Sequence, residues 1–176
     1  MIPYAIVQGY IEAVMPSVVT VKQNQDGAKP PALPYSAWAE ISSSEQGIAN
    51  RNHGLVGATF TENIDVPITE TVQIIFCSYT EKHAANNGVV GYKSAYTLAS
   101  EFLTRIHGTT AKVYQYDNNL ALMDTRDLSS FSKFLGDVHE LRVPIEIILS
   151  YVNNYQESAN NIDISTINIT TTLEGI

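Results

Sequence analysis

Val66-Pro-Ile-Thr-Glu-Thr-Val-Gln-Ile-Ile-Phe-Cys-Ser-Tyr79 opens the segment Asp65 to His107, and the reading of that segment decides the fold. Val66, Ile68, Val72, Ile74 and Phe76 share one parity, the period of a half-buried strand. Beyond a polar loop over Thr80 to Gly88 the period changes. Tyr92, Ala95, Tyr96, Ala99, Phe102, Leu103 and Ile106 recur at three- and four-residue steps, on one face of a helix. A strand with one apolar face followed by a helix with one apolar stripe implies a helix packed on a sheet.

Upstream, residues 2–15 read as a helix. Pro3 suits its first turn, where a missing N–H costs nothing, and Pro16 ends it. Ile6, Val7, Tyr10, Ile11 and Val14 form its stripe. Val18 to Asn24 is rich in β-branched residues and reads as a short strand. A stiff, turn-rich connector, 25–34, delivers the chain to a strand over Tyr35 to Ser44. There Tyr35, Ala37, Ala39 and Ile41 share one parity and Trp38 takes the other. Residues 46–63 carry Gly47, Gly54 and Gly57 and form either an extended loop or two irregular hairpin arms reaching away from the core.

Downstream, Lys112 to Tyr116 and Leu120 to Asp124 flank a turn at Asp117-Asn-Asn119 and predict a hairpin. Ser129 to Gly136 is a connector. In the strand His139 to Val152, Leu141, Val143, Ile145, Ile147, Leu149 and Tyr151 face one way, and Glu140, Arg142, Glu146 and Ser150 the other. Pro144 cannot donate to a ladder, so an edge or a bulge is expected there. A polar linker, 153–161, leads to a strongly β-prone carboxyl-terminal strand at 162–173. Such a strand is either tucked into its own sheet or added to a neighbour's. The expected fold is α+β: a mixed, mainly antiparallel sheet with two principal helices packed on one face, in a single domain spanning 1–176.

The length supports one domain able to bury about 70% of its unfolded surface without staples. Eighteen acidic against ten basic residues give a net charge of −8, which opposes a grip on nucleic acid. It leaves room for a surface that DNA slides past. Cys77 is the single cysteine, so no intrachain disulfide can form, and a cysteine in mid-strand reads as a small buried hydrophobe. The amino terminus lacks the pattern of a signal peptide, and no apolar run is long enough to span a membrane. The expected site of folding is a cytoplasm.

A search for chemistry finds no catalytic, cofactor or metal constellation. Gly88-Val-Val-Gly91-Tyr-Lys93-Ser94 lies between a strand and a helix, where a phosphate loop would sit. Two residues rather than four separate its glycines, and Tyr92 separates Gly91 from Lys93. His53, His83, His107 and His139 are scattered, with no partner at ligand spacing. Cys77 and His83 have no nucleophile elbow around them. Asp124 with Asp127 and Glu140 with Glu146 read as surface charges, and Asp124, Arg126 and Asp127 as a local ion pair of little energetic weight.

Three pieces in order carry a resemblance: Pro31-Ala-Leu-Pro-Tyr35 leading into the strand ending at Ser42; the strand–helix unit 66–107; and Leu122-Met-Asp-Thr-Arg126 followed by the alternating strand Leu141 to Tyr151 and an Ile/Thr tail. This order resembles the tail-terminator, or neck-terminator, proteins of tailed bacteriophages. Gly47 to Asn63 lies outside the resemblance. The resemblance implies a structural virion subunit with no catalytic residues and no cofactor. It implies a homo-oligomeric ring, usually hexameric, that caps the tail tube and ends its growth. A head-completion or neck protein would sit on the other face, and DNA would pass through without specific binding. Expected contact residues are Arg51 and His53 toward an axial partner, and His83, Tyr92, Lys93, Ile167 and Ile169 toward adjacent subunits. Two alternatives stay open: another virion connector (head-completion, tail-tube or baseplate adaptor), and a small-ligand domain or enzyme using His83, Tyr92 and Lys93.

Overall fold

The structure is a computed structural model that describes residues 1–23, 30–45, 50–56, 59–86, 88–127 and 140–159. Its elements are α1 (Tyr4–Val14), β1 (Val19–Lys22), β2 (Tyr35–Glu45), β3 (Asn50–Val56), β4 (Thr59–Tyr79), α2 (Glu81–Asn86), α3 (Ala95–Arg105), α4 (Thr109–Asp117), β5 (Leu120–Asp127) and β6 (Glu140–Ala159). Among the described residues the strands form one six-stranded sheet in the order β1-β2-β4-β6-β5, with β3 also paired to β4. β1 runs parallel to β2, and the other pairings are antiparallel. This is an α+β fold with a mixed, mainly antiparallel sheet.

The ladder explains why the sheet has one helix-covered face. Val72 lies opposite Ile147, Ile74 opposite Ile145 and Phe76 opposite Val143, so two alternating apolar sets coincide. All six side chains are buried, and on them pack Val7, Tyr10 and Ile11 of α1, Leu98, Ala99 and Phe102 of α3, and Ala111 of α4. Phe76 and Phe102 meet with ring centroids 5.4 Å apart and planes tilted by 51°. Each buried Val, Leu, Ile or Phe side chain among them contributes roughly 1.5–3 kcal/mol by leaving water. In β2 it is Trp38 that joins this core, while Tyr35 and Ala37 face the other side with Cys77.

Several elements differ from the sequence-based expectation. Lys112 to Tyr116 is not a hairpin arm but part of α4. Its β-formers are overruled by packing on α1: the Tyr114 hydroxyl donates to the Ile6 carbonyl at 3.1 Å, Tyr10 and Tyr114 rings lie 6.0 Å apart, and Ala111 is fully buried. Three helices of nine or more residues, rather than two, therefore cover the sheet among the described residues. Tyr96 points outward, 66% exposed, because α3 starts at Ala95 and its buried set is Ala95, Leu98, Ala99 and Phe102. The loop after Tyr79 holds the short helix α2. The polar stretch after Val152 continues β6 to Ala159, because β4 provides a ladder for it. The region 46–63, left between a loop and hairpin arms, contains β3 paired with the first part of β4. Pro144 faces Ile75 with no register shift against β4, and the described β5 pairing stops at Ile145, so Pro144 stands just past the end of that ladder. The expected strand at 162–173 lies outside the described residues.

β2 and β3 run one after the other along the same side of β4: Glu45 pairs Ile68 and Asn50 pairs Asp65. β6 follows the other side of β4 from Tyr79 to Phe60. Ile68 is the first buried residue of β4 among those whose side chains are described. Beyond it, β3, the start of β4 and the end of β6 continue as a three-stranded arm. Eight residues of strand at about 3.4 Å each extend it roughly 27 Å past the body.

Candidate functional site

At one end of the molecule a turn joins α2 to α3. Gly88 and Gly91 adopt φ of 61° and 70°, which only glycine holds without strain. The turn is fixed to the end of β4. The Ser78 hydroxyl donates to the Lys93 carbonyl at 2.6 Å, and the Tyr92 hydroxyl donates to the Tyr79 carbonyl at 2.9 Å. Burial raises the Tyr92 phenol above its ordinary pKa, and the charge of Glu81 adds to this. Lys93 reaches Glu101 at 2.6 Å, and Arg105 reaches the same carboxylate at 2.5 Å. The Lys93 hydrogen bond is the main cause holding Glu101 below the ordinary carboxylate range. Ser94 caps α3 by accepting from the Thr97 N–H at 3.1 Å. The helix start is thus satisfied by its own side chain, and the lysine is turned onto a glutamate rather than toward a bound phosphate.

At the other end, Arg51 of β3 pairs with Glu62 of β4 at 3.4 Å on the arm and keeps an exposed side chain. His53 lies opposite Glu62 in the same ladder, where its backbone alone is described. Arg51 sits opposite Ile64, whereas Tyr92 is bonded at Tyr79. Fifteen residues of strand separate those levels, roughly 50 Å. The expected contact residues therefore form two groups at opposite ends. Tyr92 and Lys93 are brought together beside α2, which carries the backbone of His83. Ile167 and Ile169 lie outside the described residues.

Two features escaped the sequence reading. The first is the α4–β5 edge, where Tyr116 is 86% and Met123 63% exposed beside a cleft of about 310 Å3. Ile106 and Leu122 line the cleft with Lys112 and His107. Assigning 112–124 to a hairpin hid it; Ala111 and Tyr114 at three-residue spacing were the available signal. The second is Glu70, a carboxylate 2% exposed that accepts from the Ile2 N–H at 2.6 Å. Cys77 is buried with Tyr35 and Ala37 on the other side of the sheet from the main core, and burial pushes its thiol up to about 12, so it is a packing residue rather than a nucleophile. Beside it Tyr35 donates to Glu140 at 3.3 Å, and Arg142 donates to the same carboxylate at 3.0 Å.

Among the described residues no group of three or more His, Cys, Asp or Glu is placed to hold a metal ion, and no helix is long and apolar enough to cross a membrane. What the geometry offers is surfaces: an arm, a rigid turn and an edge cleft of mixed polarity. No curated protein matches the chain. The family model described as phage neck terminator protein matches residues 4–175. The chain belongs to that family, and is a structural protein of the phage virion's neck and tail.

Proposed function

We propose that the protein forms a closed ring, six subunits around, that seats on the last ring of tail-tube protein and ends tube growth. The opposite face of the ring receives a head-completion or neck protein, and the genome passes through the central hole. Assembly takes place in the host cytoplasm. The observation that carries this reading is the arm. A three-stranded extension beyond the helix-covered core leaves the outer edge of β3 unpaired among the described residues, which suits a subunit completed by other chains. Arg51 and His53 on the arm face the axial partner. The region 81–93, with His83, Tyr92 and Lys93, and the carboxyl-terminal segment with Ile167 and Ile169, meet adjacent subunits. The net charge of −8 supports passage of DNA without arrest.

Purified protein, alone and with tail-tube protein, is expected to give six-fold rings in negative-stain micrographs and a hexamer mass by light scattering. A particle that stays monomeric at high concentration and with tube protein present overturns the reading. The same preparation is expected to leave duplex DNA unshifted in a gel at low salt. A salt-dependent shift would mean that the lumen holds DNA rather than letting it pass.

A further inference from the structure

The side of β6 that faces away from β4 is covered along only part of its length. β5 pairs with it from Ile145 to Tyr151, where Leu120 ends that ladder, whereas β4 pairs with it as far as Ala159. The eight residues from Val152 to Ala159 therefore have β4 on one side and no strand on the other among the described residues. Every second one turns its backbone groups to the open side. The Trp38 carbonyl accepts from the Gln23 N–H at 2.7 Å, so Trp38 points at β1 and Ala37 at β4. Alternation across the ladders then points Ile75 at β2, Ile74 at β6 and Ile145 at β4. The register is unbroken to Ala159, so Val152, Asn154, Gln156 and Ser158 aim N–H and C=O groups outward. Val152 adds an exposed apolar side chain. A bare edge of this length is a template for another strand.

We propose that this edge is the docking site of the chain's own carboxyl-terminal segment, within 162–173, which turns back antiparallel on β6 and makes the arm four-stranded. The segment begins directly after the end of β6, so its local concentration at the edge exceeds that of any separate chain. Asn160 and Asn161 suit a tight turn, because asparagine tolerates positive φ, as Asn119 does at 50° between α4 and β5. Ile162, Ile164, Ile167 and Ile169 favour a strand, no proline or glycine interrupts 160–173, and the segment is longer than the edge it covers. Asp163 is its single charge. A strand there would stand in line with β5 along β6, as β2 and β3 stand in line along β4. It would also be the outermost strand of the arm, where Ile167 and Ile169 can meet an adjacent subunit. That consequence rests on the ring reading; the docking itself does not.

Cysteine pairs in the full chain test the docking. Asn153 points its backbone at β4, so on the outer side it would form a close, non-hydrogen-bonded pair, the geometry that a disulfide accepts. Asn153→Cys is combined in turn with Thr166→Cys, Ile167→Cys or Asn168→Cys, the positions that come opposite it for turns of about two, three or four residues after Ser158. Each double variant is oxidised with diamide, and buried Cys77 stays out of the reaction. One of the three is expected to lose both added thiols while running as a single chain on a non-reducing gel. Linked dimers instead would mean that the segment covers another copy's edge, and no link in any of the three would mean that it does not pair there; either result overturns the proposal. Light scattering on the same samples scores the ring reading separately. Amide exchange followed by NMR gives a second readout. The N–H groups of Val152, Asn154, Gln156 and Ser158 should exchange slowly in the parent. Ile164→Pro/Ser165→Pro removes a donor whichever way the strand faces and should speed them by an order of magnitude or more, leaving Ile74 and Ile145 as they were. Fast exchange already in the parent, or slow exchange that survives in the proline variant, overturns the docking.

Discussion

Glu70 shows how a single residue sets a condition on the whole fold. Burial raises its carboxyl above the ordinary value of 4.5 and Glu40 raises it further, while the Ile2 N–H pulls it down. A folded-state pKa above the unfolded one means that the fold favours the protonated form. That contribution is fully present below pH 4.5 and is lost as pH rises through the raised pKa. Glu70→Gln keeps an acceptor for Ile2 and removes the like-charge pair. Its thermal midpoint should rise at pH 8 by about 2–4 °C, the equivalent of about 1 kcal/mol, and should match the parent at pH 4. Equal midpoints at pH 8 would mean that the carboxylate carries no penalty there. Glu70→Ala leaves the Ile2 N–H unpaired and should cost about 1–3 kcal/mol. Gly9 is a second sensitive position, because a Cβ there would strike the Tyr114 hydroxyl where α1 meets α4. Gly9→Ala should lose about 1–3 kcal/mol by overpacking, and Tyr114→Phe in the same chain should recover part of it. Full additivity of the two changes in urea melts would disprove that clash.

At the scale of elements, the body was legible where burial and period coincide. Residues 68–76 and 143–149 alternate because every second side chain enters one core, and α1 and α3 show their stripes for the same reason. Phe102, from that legible set, fills the centre of the α3–sheet contact, and Phe102→Ala should cost about 3–5 kcal/mol in chemical unfolding. α4 was not legible, since Val113, Tyr114 and Tyr116 prefer strands, and only contact with α1 makes them helical. The arm was legible only as one of two alternatives for 46–63, a loop or hairpin arms: polar residues such as Asn52, Asp65 and Asn154 lie on its strands, so alternation has nothing to report. Tyr92 and Lys93, proposed to meet adjacent subunits, were singled out because they sit in a glycine-marked junction. The exposed Val90 and Met123 were not singled out, since isolated exposed apolar residues leave no periodic trace.

At the scale of the whole molecule, the proposed function separates stability from assembly in space, with the core lying under the helices and the arm beyond it. Arg51→Glu tests that separation. It sets two acids side by side on an exposed part of the arm, so the subunit's midpoint should move by no more than about 0.5 kcal/mol. Co-sedimentation with tail-tube protein should nevertheless fall. A variant that unfolds, or one that still co-sediments fully, would return the arm to a role inside the subunit.

The β4–β6 ladder carries a mechanical consequence. Its twenty residue pairs run unbroken from Tyr79 opposite Glu140 to Phe60 opposite Ala159. Antiparallel hydrogen bonds lie perpendicular to their strands. Tension along the arm therefore loads these bonds together in shear, whereas a sideways pull at the tip would part them one after another. The subunit is a strut that is strong lengthwise and weak to peeling.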